Sequence, residues 1–348
     1  MAVRTKGEKQ IPFGNDNKKS KGKRGGAKVR ASGPRESRLA VEPQRLIALD
    51  WSGRVDAAGQ RRHIWAGVWT LRDDGRETVG LQNGRTREEV VEWLIELAQE
   101  TPWLVVSIDC CFSYPAWFLR EHGSATVFDF WRSATEGQAD KWLSRECADE
   151  RFWGKPGLHH AGKRPAQFCG EGLRSMYRHT DYDNKFAQAL EGGDPERAAK
   201  MKGITPKSPF QIGGSGSVGT GSLRAMPVLL RLHDAGFRIW PFESAGLRGA
   251  KPKPLLVEMY TRLMTGAVAK SNAAARKAYL KLKCRDDAVY APVGRAVIRK
   301  AQGSEDAFDA LVSTMEMVRH RNAFANLRAT NDEESLLEGI TWRPGVSA

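Results

Sequence analysis

The sequence predicts an α/β fold, a mixed sheet flanked by helices, and three observations point there. Two short apolar runs each end in an acid, Leu46 to Asp50 (LIALD) and Trp103 to Asp109 (WLVVSID), as buried strands do. Between them lie a two-strand meander and a capped amphipathic helix. Near the end, a long helical stripe carries a pair of aspartates three residues apart.

The elements follow in order. LIALD is closed by Trp51-Ser52-Gly53, a turn signal. His63 to Thr70 (HIWAGVWT) and Arg76 to Leu81 flank Asp73-Asp74-Gly75, which predicts two antiparallel strands on a tight turn. Thr86 caps the helix REEVVEWLIELAQE with Glu89 three residues on, and Val90, Trp93, Leu94 and Leu97 form its apolar face. After WLVVSID the pattern from Cys110 to about Ala235 turns polar and rich in Trp and Arg, with helical stretches near Lys141 to Phe152 and Asp183 to Lys200. It reads as a large, mostly helical insertion. Phe237 to Glu243 (FRIWPFE) and Leu255 to Tyr260 (LLVEMY) are further strand candidates, and Ser271 to Lys283 is helical. Ser304 is placed as N-cap of SEDAFDALVSTMEMVRH, with Phe308, Leu311, Met315 and Val318 on its apolar stripe. The expected organisation is a disordered basic tail over 1–42, one domain over 43–322 with its insertion at about 111–235, and a polar surface tail over 323–348.

The net charge of +14 is unevenly placed. Residues 1–40 hold twelve Lys/Arg against Glu8, Asp16 and Glu36, a net +9, which leaves +5 for the rest. That segment lacks apolar periodicity, so ordering it gains too little burial. Contact with nucleic acid and simple solubility are both uses for it. No apolar stretch of about 18 residues appears, so a cytoplasmic protein without a membrane partner is expected. The five cysteines are odd in number and include the adjacent Cys110 and Cys111, which argues against a disulfide framework. His159, His160 and Cys169 do not complete a zinc ligand set.

The chemistry rests on carboxylates. Asp50 and Asp109 end strands, Glu258 lies in LLVEMY, and Asp306 and Asp309 share a helix face. In open α/β sheets ligands bind beyond the carboxyl ends of strands, so acids placed there converge. Hard cations take oxygen ligands. Two ions roughly 3.5–4 Å apart activate a water and stabilise the leaving oxygen of an in-line displacement. In this reading Asp50 bridges the ions, Asp109 ligates, Asp309 closes the site, and Glu258 or Asp306 binds or orients the attacking water. A single strand-end acid is otherwise a turn or cap residue, and acids near a helix N-terminus also favour the macrodipole.

The order of ALDWSG, SIDCCFSYP, PFQIGGSGSVGTGSLRAMP, VEMYTRL and SEDAFDALVS resembles the predicted ribonuclease-H-like nucleases catalogued as domain of unknown function 429, over Leu46 to about Arg319. DAFDAL also looks like the HxxD or DxxD helix signature of Holliday-junction resolvases in that superfamily. The resemblance implies a ribonuclease-H-like mixed five-stranded sheet flanked by helices. It also implies Asp50, Asp109, Glu258 and the pair Asp306/Asp309 as the site of an Mg²⁺- or Mn²⁺-dependent nuclease acting on DNA or RNA. The alternatives are a non-catalytic nucleic-acid-binding protein of the same fold and a nucleotide-binding enzyme.

The last alternative comes from Gly214, Gly216 and Gly219, which spell GxGxxG ahead of a helix, with Glu243 ending the next strand candidate. The preceding PFQI is short for a strand, and no Walker A lysine follows. The loop backbone, with Lys207 and Arg224, is a candidate cradle for a substrate phosphate, and a plain hinge serves equally. Trp51, Trp117, Trp131, Trp142 and Trp153 are candidates either for base stacking or for packing.

Overall fold

The computed structural model describes residues 42–155, 162–181, 204, 206–214, 217–248, 251–266 and 268–345. The basic segment, the expected helix over Asp183 to Lys200, His159, His160 and Gly216 lie outside them.

Six strands form one mixed sheet in the order β3-β2-β1-β4-β6-β5. β1 (Arg45–Asp50) is central, antiparallel to β2 and parallel to β4. Both its faces are covered, which is why it reads as an unbroken apolar run. α1 (Ala57–His63) follows, capped by Asp56, whose carboxylate accepts from Gly59 N at 2.6 Å. The sequence reading did not anticipate this helix. β2 (Trp65–Leu71) and β3 (Glu77–Gln82) make the expected antiparallel meander. α2 (Arg87–Glu100) carries the full capping box. Thr86 N donates to Glu89 Oε2 at 2.8 Å, and Glu89 N donates to Thr86 Oγ1 at 3.3 Å.

β4 (Leu104–Asp109) leads into the insertion, where α3 (Ala116–Glu121), α4 (Val127–Ser133) and α5 (Ala139–Leu143) precede irregular chain. The helix expected over Lys141 to Phe152 is therefore mostly loop. Its aromatic residues instead form a core: Tyr114 meets Phe118, Phe130, Trp142, Phe152 and Phe210 at centroid distances of 5.1–6.3 Å. Trp131, Trp142 and Trp153 are buried, so they pack rather than present faces to bases. Trp117 stacks on Phe210 and donates to Ser175 O at 2.9 Å.

α6 (Gly219–Asp234) returns the chain to the sheet. β5 (Arg238–Trp240) is only three residues long because Pro241 has no N–H to donate and Glu243 N turns back to Ile239 O at 2.9 Å. β6 (Leu255–Met259) inserts between β4 and β5, parallel to both. The sheet thus has one strand more than the five expected. α7 (Thr261–Thr265), α8 (Ala273–Asp286), α9 (Arg295–Gly303) and α10 (Glu305–Arg319) complete the domain.

Strand alternation sorts the core into two layers. Ile47, Leu49, Val106, Ile108 and Leu256 face α2, α6 and the insertion. Leu46, Ala48, Val105, Leu255, Val257 and Met259 face α7 to α10. α10 crosses β2 so closely that a Cβ on Gly67 would sit 2.1 Å from Thr314 Oγ1 and 2.5 Å from Ala310 O.

The expected polar C-terminal tail is corrected. After α11 (Arg321–Phe324) and α12 (Ser335–Glu338), Trp342 bridges Met259, donates its N–H to Glu258 O at 2.8 Å and is 1% exposed against Phe324. One buried tryptophan in a polar segment carries no periodic signal. No helix among the described residues is long and apolar enough to cross a membrane.

Candidate active site

Register brings the first two acids together. Leu49 of β1 stands opposite Ile108 of β4, so Asp50 and Asp109 are the next residues of adjacent parallel strands. Counting by twos, Asp50 follows Leu46 and Ala48, and Asp109 follows Val105 and Ser107, on the face towards α10. Ser107 Oγ contacts Met317 Sδ of α10 at 3.1 Å, which fixes that face. Ser304 caps α10 by accepting from Ala307 N at 3.3 Å, so Asp306 and Asp309 fall on its first turns. Asp309 is 2% exposed. Asp306 is half-buried and accepts from His63 Nδ1 at 2.9 Å.

The cluster is electrostatically unsatisfied. Among the described residues no donor hydrogen-bonds the Asp50 carboxylate, and burial, then the charges of Asp309, Asp109 and Asp306, push its pKa well above the carboxylate range. Asp109 is oriented by Thr261, which donates from Oγ1 at 2.9 Å and from N at 3.2 Å. Burial still raises its pKa, against the pull of Lys270 and Thr261. Burial raises Asp309 to about 7, opposed by Lys270. Its Oδ1 is buried and has no hydrogen-bond partner among the described residues.

Lys270, on the α7–α8 loop, sends its ammonium into this group. It contacts Asp309, and its charge acts on Asp109 and Asp50. Burial disfavours the ammonium, yet the three aspartates outweigh burial and hold its pKa above the usual lysine value. The loop is anchored by Arg276, which donates to Lys270 O and, at 3.0 and 3.2 Å, to Gln302 O. Among the described residues no three of these aspartates bring one oxygen each within 4.8 Å of one another. Among the described residues the set of three ligand atoms that does so belongs to His179, Glu334 and Glu338. Those groups are already engaged. Glu338 accepts from Ala116 N at 2.9 Å and His179 Nδ1 at 2.8 Å, and Glu334 pairs with Arg120 at 2.5 Å.

Glu258 does not join the aspartates, and its expected place as a metal ligand is corrected. It pairs in register with Ile108, so its side chain leaves the sheet on the opposite face. There, 2% exposed, it is saturated. Arg178 forks onto both oxygens, through Nη1 at 2.7 Å and through Nη2, while Thr341 Oγ1 donates at 2.6 Å and Phe112 N at 2.7 Å. Arg178 also holds Asp181 at 2.7 and 2.9 Å.

A cleft of about 920 Å³ opens beyond the carboxyl ends of β1, β4 and β6. Asp109 and Glu258 line it, as do Trp51, Gly214, Lys207 and Arg224, so three residues of the expected phosphate cradle reach the same space as an acid of the cluster. Gly219 has a packing role instead, since a Cβ there would sit 2.1 Å from Pro209 O. The dinucleotide fingerprint lacks its context. The segment before the loop makes only an isolated bridge, Trp153 to Gln211, and Glu243 is tied to Arg238 and to Ile239 N at 3.1 Å.

Sequence reasoning missed Arg178, Thr261, Lys270 and Thr341. Only Thr261 left a signal, as a polar residue just past a strand end. No protein-family model, curated protein or solved structure matches the chain.

Proposed function

We propose that this chain is a divalent-metal-dependent nuclease of ribonuclease-H-like fold that hydrolyses phosphodiester bonds of DNA or RNA. One observation carries the reading: Asp50, Asp109 and Asp309, from two adjacent strand ends and a helix, form one group in which desolvation raises each pKa, with the buried Asp309 Oδ1 left unpartnered among the described residues. Such a group is costly without a cation and is stabilised by one. The sheet order β3-β2-β1-β4, with an antiparallel meander and parallel strands beyond it, supports the fold assignment.

An all-oxygen donor set suits Mg²⁺ or Mn²⁺, and Asp50, Asp109 and Asp309 are the residues that would hold it. The bound cation would supply a lowered water pKa and charge stabilisation at phosphorus. The chain's own parts are positional. Thr261 fixes the rotamer of Asp109, Ser304 and the Gly67 contact set the height of α10, and Lys270 contributes a fixed positive charge beside the reacting phosphate.

The test is cleavage of single-stranded, duplex, hybrid and branched substrates in Mn²⁺. Wild type is expected to cut at least one of them and Asp50→Asn none, with the variant's fold intact by circular dichroism. Absence of cleavage together with absence of any metal-induced thermal shift overturns the reading. The second reading, a nucleic-acid-binding protein without turnover, is favoured by one feature: Lys270 already serves Asp309 as a counter-ion. Salt-sensitive binding without cleavage would select it.

A further inference from the structure

Besides Arg178, four cations line the cleft that Asp109 reaches: Arg54 after β1, Lys155 and Lys207 in the insertion, and Arg224 on α6. Among the described residues none of them pairs with a carboxylate. This sets them apart from Arg151, Arg178 and Arg319, each bound to acids at close range. Lys155 donates only to Leu143 O at 2.8 Å, and Arg224 only to Gly53 O. Arg87, 9% exposed, donates to Ser52 O at 3.1 Å and Arg54 O at 2.7 Å, and so adds its charge to the loop that carries Arg54. Burial, and then the neighbouring charge of Arg224, lowers the pKa of both Arg87 and Lys155. Cations gathered around one cleft with no carboxylate in contact are stabilised by a polyanion.

We infer that this cleft is a groove for one nucleic-acid strand, with successive phosphates on Arg224, Lys155, Lys207 and Arg54, and a base on Trp51. Three features select a strand over other anions. The cations come from four separate chain segments, which spreads them over several phosphates rather than one. Trp51 lies along the cleft with its indole N–H tied to Gly221 O at 3.1 Å, so its ring is held as a platform. The cleft, about 920 Å³ between the β1–α1 loop on one side and the insertion with the α6 start on the other, accepts a few nucleotides of one strand and no duplex. The inference rests on the nuclease reading only in taking the phosphate next to Asp109 as the one that is cut.

Binding is measured on full-length, metal-free Asp50→Asn protein in EDTA, with a fluorescent eight-nucleotide oligothymidylate, over a salt series. The comparison is with the same protein also carrying Arg54→Gln and Lys207→Gln, whose side chains have no hydrogen bond or ion pair to lose. The basic N-terminal segment is present in both and cancels. Each phosphate contact on a single strand contributes about 0.7 to the log–log salt slope. The paired substitution is therefore expected to reduce the slope by about 1.4 and to weaken binding about tenfold at 0.15 M salt, with the melting temperature unchanged. An unchanged slope and affinity overturns the inference. So does a blunt duplex that binds as tightly as the strand, or thymidine monophosphate competing as well as the oligomer at equal phosphate. Because no metal and no turnover enter this assay, its failure is distinct from failure to cleave.

Discussion

Asp309→Asn should stabilise the metal-free protein at neutral pH and leave it unchanged in acid. Asp309 is 2% exposed, and burial raises its pKa to about 7 although Lys270 pulls the other way. In an unfolded chain the same carboxyl titrates near ~3.9. The native state therefore keeps a proton that unfolding releases. The contribution of Asp309 to stability without metal is greatest below about pH 4, declines as the pH rises to about 7, and is level beyond. A gap of about three pH units, at ~1.36 kcal/mol each, sets an upper bound on the order of 4 kcal/mol, shared with Asp50 and Asp109 because the three titrate together. Asparagine has the shape of the protonated acid and no charge. Urea denaturation in EDTA should show variant and wild type alike at pH 4, and the variant ahead by about 2–4 kcal/mol at pH 8. Mg²⁺ at a hundred times its Kd would add ~2.7 kcal/mol to wild type and much less to the variant. A wild type as stable as the variant at pH 8 in EDTA would refute the claim that these charges are unsatisfied.

Glu258→Gln removes one of the two carboxylates that Arg178 pairs with, leaving Asp181 as the other, and should cost about 1–3 kcal/mol in urea denaturation, while the metal-induced stabilisation of the folded protein persists. Loss of that metal response would return Glu258 to the metal site. Gly67→Ala drives a methyl against Thr314 Oγ1 and Ala310 O and should cost ~1–3 kcal/mol. It should also weaken metal binding by lifting α10 from the sheet, and unchanged values in both denaturation and metal titration would sink that account. Trp342→Ala should cost about 3–5 kcal/mol, and a loss below ~1 kcal/mol would restore the reading of a loose C-terminal segment.

The strands and caps that were legible were those whose signal is local. LIALD and WLVVSID are apolar throughout because both sheet faces are covered, and Thr86, Glu89 and Ser304 announce their caps within four residues. Asp50, Asp109 and Asp309 followed from those elements. Glu258 was misjudged because an acid in an apolar run does not reveal which face it leaves from. Only the pairing of Ile108 with Glu258, across about 150 residues of chain, sets that parity. Arg178, Lys270 and Thr341 sit in irregular chain where no period exists, and their roles come from tertiary contact alone. The extra edge strand and the packed C-terminus escaped for the same reason: three residues and one tryptophan are too little pattern to read.

The close seat of α10 on Gly67 bears on when the site exists during synthesis. Asp109 is made 59 residues after Asp50, but Asp309 is made 200 residues after Asp109 and reaches them only once α10 has docked. A partly made chain, still beside the messenger and ribosomal RNA, holds two of the three aspartates on a sheet that still lacks its last helix. Completion of folding is then itself the step that brings the third aspartate to the other two.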